Sequence, residues 1–327
     1  MRILGERKII ELVLEQLERM PNMLIPFGDD VSAYPFDGNR LLILKTDMLV
    51  DKTDMPKGMS FWQAARKAVV MNVSDFAAKG VKPRAILVSL GLPKKLARKD
   101  IAQEIGRGLN AGAREYGTYI IGGDTGEASD LVISISLFST AKKGELMLRS
   151  GAKAEDIVAV TGFFGKTAAG LKVLLNGCKV SPKTEKTLTE SVLMPRARLK
   201  EGLSLSKIGA VTASIDSSDG LAWSLHEIAK ASKVGFLIDR LPVAEEVKEF
   251  AEINQLDPLE LALYGGEEYE LVVTVKHELW KKAKEAVENV GGELLSIGKV
   301  TAEREIILKT CGKKYAVEPR GWEHFRR

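Results

Sequence analysis

Short apolar runs alternate with longer stretches in which apolar residues recur every three or four positions. In the first half, apolar runs at 41–44, 85–88, 119–121 and 131–138 predict strands, and helical patterns at 60–79 and 99–116 lie between them. The first twenty residues place apolar side chains at helical spacing among charged ones, which predicts an amphipathic helix rather than a secretion signal. This order predicts a mixed α/β fold.

The second half repeats strand and helix patterns in pairs. Strands are predicted at 156–162, 211–215 and 270–275, each followed by a helix that begins near 167, 221 and 278. A polar turn at 142–145 and a Gly/Ala-rich loop at 149–152 predict a domain boundary between the halves. We therefore expect two domains, 1–141 and 149–327, the first with a mixed sheet and helices and the second an α/β sandwich.

Composition narrows the class of protein. The 48 Lys and Arg residues nearly balance the 44 Asp and Glu residues, and the signs are mixed along the chain, so no nucleic-acid surface is indicated. No apolar run approaches the roughly 18 residues that a membrane span needs. Cys178 and Cys311 stand far apart without a CxxC motif, which predicts neither a disulfide nor a zinc site and favours the cytoplasm.

Aspartates follow apolar segments at several separate places, each time among small residues. The segments are Gly28-Asp29-Asp30, Thr46-Asp47, Asn72-Val73-Ser74-Asp75, Gly122-Gly123-Asp124-Thr125 and Asp216-Ser217-Ser218-Asp219-Gly220. One such aspartate often only begins a turn. Carboxylates held near a core, however, cost free energy unless a cation pairs with them, and a hard divalent ion prefers oxygen ligands. Their recurrence predicts a magnesium and polyphosphate site.

Some of these positions have specific alternatives. Asp75 shares a face of its predicted helix with Asn72, where it could bind a metal or only pair with a neighbouring element. Two glycines before Asp124 would let a turn approach a phosphate closely. Ser218 or Asp219 could instead cap the helix that begins at 221.

Two further segments bear on nucleotide binding. Residues 162–167 end like a Walker A loop, but Val160 occupies the position of the first required glycine, so we interpret them as a strand-to-helix turn. Arg149 opens the loop between the predicted domains, where a guanidinium could bind a phosphate through two hydrogen bonds.

Taken in order, these segments resemble those of the thiamine-monophosphate kinases. That family is related to aminoimidazole ribonucleotide synthetase and selenophosphate synthetase, and the resemblance covers nearly the whole chain. Further matching segments are Lys67-Ala68, Arg149-Ser150-Gly151-Ala152, Tyr264-Gly265-Gly266-Glu267-Glu268-Tyr269-Glu270-Leu271 and Gly321-Trp322-Glu323-His324-Phe325. The resemblance implies direct in-line transfer of the γ-phosphate of ATP to thiamine monophosphate, without a strong general base because the acceptor phosphate is already ionised.

The resemblance also implies roles for individual residues. Several magnesium ions would be held by Asp30, Asp47, Asp75, Asp124 and Asp216, with help from Thr46 and Asp219. The nucleotide would contact Gly123, Asp124, Arg149 and Ser218. Glu267 and Trp322 would contact the substrate, where an aromatic ring can stack on the cationic thiazolium or on the pyrimidine. The first sheet is expected to pair with its twin in a homodimer.

One departure from the family bears on the substrate. Asp54 stands where relatives often carry a substrate-contacting histidine, so we include it among the substrate contacts. Selenophosphate synthetase would need a reactive cysteine near the start of the chain, and this sequence has none there. A purine-pathway ligase and a non-catalytic module that binds ATP and magnesium stay as alternatives.

Overall fold

The computed structural model describes residues 3–21, 23–25, 27–310 and 312–325, so Cys311 lies outside the described residues. Two mixed sheets carry the fold, one in each half of the chain. The helices of the first half are α1 (Glu6–Leu14), α2 (Asp51–Asp54), α3 (Phe61–Ala78) and α4 (Lys99–Glu115), with a 3₁₀ turn at Lys94–Leu96. The predicted fold class is confirmed. Among the described residues, no helix combines the length and apolar character required to cross a membrane.

The first sheet has the strand order β1-β2-β5-β3-β4. Its strands are β1 (Ser32–Asp37), β2 (Arg40–Val50), β3 (Ala85–Leu92), β4 (Ile120–Glu127) and β5 (Val132–Lys142). All neighbours are antiparallel except β3 and β4, which run parallel with α4 as their crossover. Ile43, Ile133 and Ile135 face α3 and are fully buried, whereas alternate residues point to the opposite face.

Two strands of this sheet differ from the prediction. β2 does not end at Leu44, because β5 pairs with it along all 11 residues, so Thr46 and Asp47 lie within a strand rather than after one. The predicted turn at Gly122 and Gly123 is also wrong, since both glycines lie inside β4. A Cβ at Gly123 would come within 1.9 Å of the Val88 carbonyl oxygen of β3. The missing side chain therefore allows the two strands to pair.

The second sheet has the order β12-β11-β8-β10-β6-β9-β7. Its strands are β6 (Ile157–Val160), β7 (Val211–Asp216), β8 (Gly235–Ile238), β9 (Leu271–Val275), β10 (Leu295–Thr301), β11 (Ile306–Thr310) and β12 (Lys313–Ala316). The helices of this half are α5 (Lys166–Asn176), α6 (Pro182–Leu193), α7 (Leu199–Ile208), α8 (Leu221–Ser232), α9 (Glu245–Asn254), α10 (Pro258–Tyr264) and α11 (Trp280–Glu288), with a 3₁₀ turn at His277–Leu279. Among the described strands of this sheet, only β8 and β11 pair in parallel.

Helix α3 lies between the two sheets. It packs against β2 and β5 on one side and against α7, β7 and β9 on the other. Ser60 begins the helix as a capping box with Gln63, and nearly every residue from Ala64 to Ala78 is buried. Polar side chains on α3 are therefore held in the interface between the halves, where they need partners.

Candidate active site

Three buried carboxylates meet where the two sheets approach α3. Asp30 precedes β1, Asp75 lies near the end of α3, and Asp216 is the last residue of β7. Each offers an oxygen atom, and these atoms all lie within 4.8 Å of one another. The side chains come from well-separated parts of the sequence, so folding assembles this acidic centre.

Buried cations neutralise part of the acidic centre. The Lys79 ammonium lies 2.6 Å from Asp29 Oδ1 and 2.8 Å from Asp30 Oδ2, and donates a 2.9 Å hydrogen bond to the Ser214 carbonyl. Arg149 binds the Asp30 carboxylate, with Nε 2.8 Å from Oδ1, and donates to the Gly28 carbonyl. No role was predicted for Lys79, since a lysine at a helix end is usually solvated.

A third cation, Lys45 of β2, lies 2.9 Å from Asp75 Oδ2. Residues 45 and 47 project from the same face of the strand, toward α3. No role was predicted for Lys45 either, because the strand was expected to end at Leu44 and not to include this residue. The three cations pair with two of the three carboxylates, since Lys79 and Arg149 contact Asp30 and Lys45 contacts Asp75.

Burial and like charge raise the pKa values of two of the acids, whereas paired cations lower that of the third. Burial raises the pKa of Asp75 well above its ordinary value, Lys45 opposes that rise, and Asp216 and Asp30 add to it. Burial also raises the pKa of Asp216 to about 6, helped by Asp30 and opposed by a 2.6 Å hydrogen bond from the Ser74 hydroxyl. Burial would raise the pKa of Asp30 too, but Lys79 and Arg149 outweigh it and hold that pKa below its ordinary value.

The donor set suits a hard divalent cation. Two of the three carboxyl groups resist ionisation because they are buried beside other acids, and a bound cation would remove that penalty. One turn before Asp75, Asn72 places a buried Oδ1 atom that has no hydrogen-bond partner among the described residues. Its amide nitrogen donates to the Ala68 carbonyl at 3.0 Å. These oxygens are the ligands that magnesium prefers.

The other predicted metal residues lie at different distances from the acidic centre. Asp47 is near enough to raise the pKa of Asp75. Thr46 points to the opposite face of β2, where its hydroxyl bonds the Ile135 carbonyl at 3.1 Å. Asp124 lies on the exposed edge strand β4. The strand register aligns Asp47 of β2 with Gly123 of β4, through Ile135 of β5 and Val88 of β3, and Asp124 is the residue after Gly123. Three strand spacings separate β2 from β4, about 14 Å.

The segment after β7 adds Ser218 and Asp219 beside the centre. Ser218 is exposed, and its carbonyl accepts a 2.6 Å hydrogen bond from the Glu267 N–H. Asp219 pairs with Arg7 of α1 at 3.5 Å, and the Arg7 guanidinium also lies 3.6 Å from the centroid of the Trp223 ring. Helix α1, for which only an amphipathic character was predicted, therefore places the Arg7 cation at the Asp219 edge of the acidic centre.

The three predicted substrate residues line one cavity. Asp54, Glu267 and Trp322 bound a volume of about 240 Å³ together with Met55, Pro56 and Gly266. The Asp54 carboxylate also accepts a 2.8 Å hydrogen bond from the Val50 N–H, so it caps its own short helix. The Trp322 side chain is half exposed, and the backbone N–H of Trp322 donates a 2.9 Å hydrogen bond to the Asp219 carbonyl, which connects the cavity to the acidic centre.

The turn before α5 is closed by a carboxylate from the chain itself. Glu268 Oε1 accepts hydrogen bonds from the Gly165 and Thr167 N–H groups at 2.7 and 3.1 Å. The start of this helix is the position at which a Walker loop would bind phosphate. The interpretation of residues 162–167 as a strand-to-helix turn fits this arrangement.

Comparison with known proteins places the chain in a family. Residues 28–141 match the family model for the AIR synthase related protein N-terminal domain, and residues 155–310 match the model for its C-terminal domain. A thiamine-monophosphate kinase from Nitrosopumilus maritimus is 36% identical over 91% of this chain and 93% of its own length. One from Pyrococcus horikoshii is 37% identical over 98% and 96%.

The chain belongs to the thiamine-monophosphate kinase family. Among solved structures, one described as AaThiL complexed with AMPPCP and TMP is 31% identical, covers 99% of both chains and has a TM-score of 0.85. The hydrogenase maturation protein HypE in its complex with HypF is 23% identical with a TM-score of 0.75, a likeness that concerns the fold alone. The resemblance drawn from the sequence motifs is confirmed for the thiamine-monophosphate kinase family.

Proposed function

We propose that this protein phosphorylates thiamine monophosphate to thiamine diphosphate, with ATP as donor and magnesium as the metal, in the cytoplasm. The observation that carries the proposal is the placement of the 240 Å³ cavity beside the acidic centre in a chain of this family. Glu267 lines the cavity, and its N–H bonds Ser218, two residues after Asp216. A phosphate acceptor in the cavity would lie next to a metal-bound donor.

The nucleotide is assigned to a second cavity of about 530 Å³. Gly28, Asp30, Lys45 and Thr46 line it, so it adjoins the acidic centre from the other side. Arg149 bonds Gly28 and Asp30 at its edge, where its guanidinium could also bind a phosphate. In this arrangement Arg149 would contact the phosphate chain, and Ser218, which follows β7 beside the acidic centre, would approach it from the second half, in the nucleotide-contact roles that the family resemblance implies.

The geometry supports catalysis by positioning and charge. A bound magnesium ion would supply positive charge that offsets the negative charge developing on the phosphates during transfer. Asp30, Asp75 and Asp216 would hold it, and Asp47 adds charge nearby. The acceptor phosphate of thiamine monophosphate is ionised at neutral pH, so the side chains need only align it with the donor.

The proposal includes two domains, 1–141 and 149–327, and a homodimer formed through the first sheet. The face of that sheet away from α3 exposes Leu44, Met48 and Leu87 by 41, 56 and 49%, next to Ile121 on the edge strand. Several large exposed apolar side chains on one face of a sheet favour an interaction surface. A second copy would cover it, and Asp124 and Thr46 would then lie at the interface.

A product assay tests this function. Purified protein is incubated with ATP, magnesium and thiamine monophosphate, and the mixture is separated by chromatography. We expect thiamine diphosphate and ADP in equal amounts, and neither after addition of a chelator. ADP formed when thiamine monophosphate is omitted would indicate ATP hydrolysis with water as the acceptor, and ADP formed only when a purine-pathway substrate replaces thiamine monophosphate would support the ligase. ATP binding without ADP formation on any phosphorylated acceptor would support the non-catalytic module instead.

A further inference from the structure

Lys67 joins two segments that the sequence places far apart. It lies on α3 and is only 1% exposed. Its ammonium donates a 2.9 Å hydrogen bond to the Asp54 carbonyl, at the end of α2, and forms an ion pair with the Glu267 carboxylate from the second half. Both segments line the 240 Å³ cavity, whereas Lys67 itself does not.

The Glu267 segment needs such a partner to stay in place. Glu267 and Tyr269 have φ values of 63° and 54°, a left-handed conformation that is unfavourable for residues with a side chain. Their N–H groups bond the carbonyls of Ser218 and Ser217 at 2.6 and 3.1 Å, which fixes the backbone. These backbone bonds do not orient the Glu267 carboxylate, which is oriented by its ion pair with Lys67.

The Asp54 side of the cavity also depends on Lys67. The Asp54 carboxylate is engaged by the Val50 N–H at 2.8 Å and by the Thr53 hydroxyl at 3.0 Å, so it holds α2 together internally. The Asp54 carbonyl faces the other way and accepts its bond from Lys67. A helix of four residues has little stability of its own, so this bond ties it to α3.

We propose that Lys67 is a positioning residue that sets the acceptor cavity by holding both Asp54 and Glu267. The inference rests on the proposed kinase function and deepens it. Because Lys67 is buried behind the cavity lining, it acts through its two partners and does not contact the substrate. Its loss affects the acceptor more than the nucleotide, since the 530 Å³ nucleotide cavity is lined by other residues.

The test compares Lys67→Met with Arg66→Met. Arg66 is a matched control, because it is the neighbouring buried cation on α3, bonded to Glu115 at 2.8 and 2.9 Å and to the Pro195 carbonyl at 2.8 Å. For Lys67→Met we expect the KM for thiamine monophosphate to rise about 10-fold or more, with the KM for ATP within about two-fold. Arg66→Met should lower the melting temperature without this split. Equal changes in both KM values for Lys67→Met would overturn the proposal.

A double-mutant cycle keeps the proposal testable if Lys67→Met folds poorly. Lys67→Gln removes the charge but keeps a donor, and Glu267→Gln removes the ion pair from the other side. If the pair acts as a unit, the double variant shows a smaller rise in KM for thiamine monophosphate than the product of the single effects. Independent effects would overturn the proposal.

Calorimetry with thiamine monophosphate alone gives a readout apart from turnover. Weaker binding to Lys67→Met than to Arg66→Met is the expected result, and equal binding would count against the positioning role. The wild-type protein separates the two proposals. If it fails to make thiamine diphosphate, the proposed function fails; if it turns over and the Lys67 variants match it, only this inference fails.

Discussion

The Lys79 ammonium lies 2.8 Å from Asp30 Oδ2, and neither side chain is exposed to solvent. A second carboxylate, Asp29, lies 2.6 Å from the same ammonium, and the Ser214 carbonyl accepts its hydrogen bond. Lys79 is thus surrounded by acceptors from the segment before β1 and from β7. It connects the two halves directly beside the acidic centre.

Replacing Lys79 with methionine should therefore destabilise the protein strongly. The change breaks the buried ion pairs of Lys79 with Asp29 and Asp30 and leaves only Arg149, among the described residues, beside Asp30, and breaking a buried ion pair typically costs about 3–5 kcal/mol. Magnesium should restore part of this loss, because a bound cation would replace the missing charge. Urea unfolding with and without magnesium measures both effects. Lys82→Met, an exposed lysine nearby, is the control, and an equal loss in that variant would contradict the assignment.

Asp75→Asn separates catalysis from stability. Burial already disfavours the charged form of Asp75, so an uncharged side chain of the same shape should change the melting temperature by only a few degrees. Turnover should fall about 100-fold or more, because the substitution removes a carboxylate ligand of the metal ion that would neutralise the transferring phosphate. Product formation is compared with that of Asp100→Asn, whose carboxylate is on the surface. Full activity of Asp75→Asn would contradict the assignment of Asp75 as a metal ligand.

Glu268 should give the metal-free protein a pH-dependent stability. Burial raises the pKa of Glu268 to about 7, against hydrogen bonds from Thr167 and Gly165. The folded protein then holds this proton more tightly than the unfolded chain, so the free energy of unfolding falls as pH rises from about 5 to about 8. Glu268→Gln should flatten this slope, because its amide oxygen can accept the same hydrogen bonds without a charge.

The measurement for Glu268 is a series of urea unfolding curves across that pH range. Asp216 titrates in the same window, with a pKa of about 6, so only the difference between Glu268→Gln and the wild type is interpreted. Glu303→Gln, at an exposed turn, should follow the wild-type slope. Parallel curves for wild type and Glu268→Gln would rule out the pH role of this carboxyl group.

The apolar face of the first sheet should control assembly. Leu87→Lys places a charge in the middle of the surface proposed to pair, and should shift the protein from dimer to monomer at micromolar concentration. Ile253→Lys, on the exposed face of helix α9, changes an equally exposed apolar residue in the second half and should leave the dimer intact. Light scattering after size-exclusion chromatography gives the mass of each. A monomeric wild type would contradict the proposed homodimer.

Much of the fold and of the acidic centre could be predicted because local pattern and chemistry agree there. Asp216 follows a strand with strong apolar character, and Asp75 lies on a helix whose surroundings are almost wholly apolar. In both cases a carboxylate near a core indicates a partner from elsewhere. The aspartates of the centre could therefore be named without coordinates, although their mutual distances could not.

The cations that complete the site could not be predicted, for a physical reason. Lys45, Lys67 and Lys79 are lysines within or next to regular elements, where lysine is usually solvated. Their burial depends on acceptors brought from 13 to 200 residues away, among them Asp54 and Glu267. Strand ends were missed for a similar reason, because β2 continues past Leu44 only where β5 pairs with it. Long-range pairing is not visible in local sequence.

The internal partners of the three acids also bear on how a newly made chain matures. Lys79 and Arg149 hold Asp30, Lys45 holds Asp75, and the Ser74 hydroxyl donates to Asp216, so the carboxyl groups have partners before any ion arrives. A protein built in this way can complete its fold during synthesis regardless of the supply of metal in the cell. Metal binding is then a late and reversible step. A shortage of the ion would stop that step without causing proteolytic degradation of the folded polypeptide.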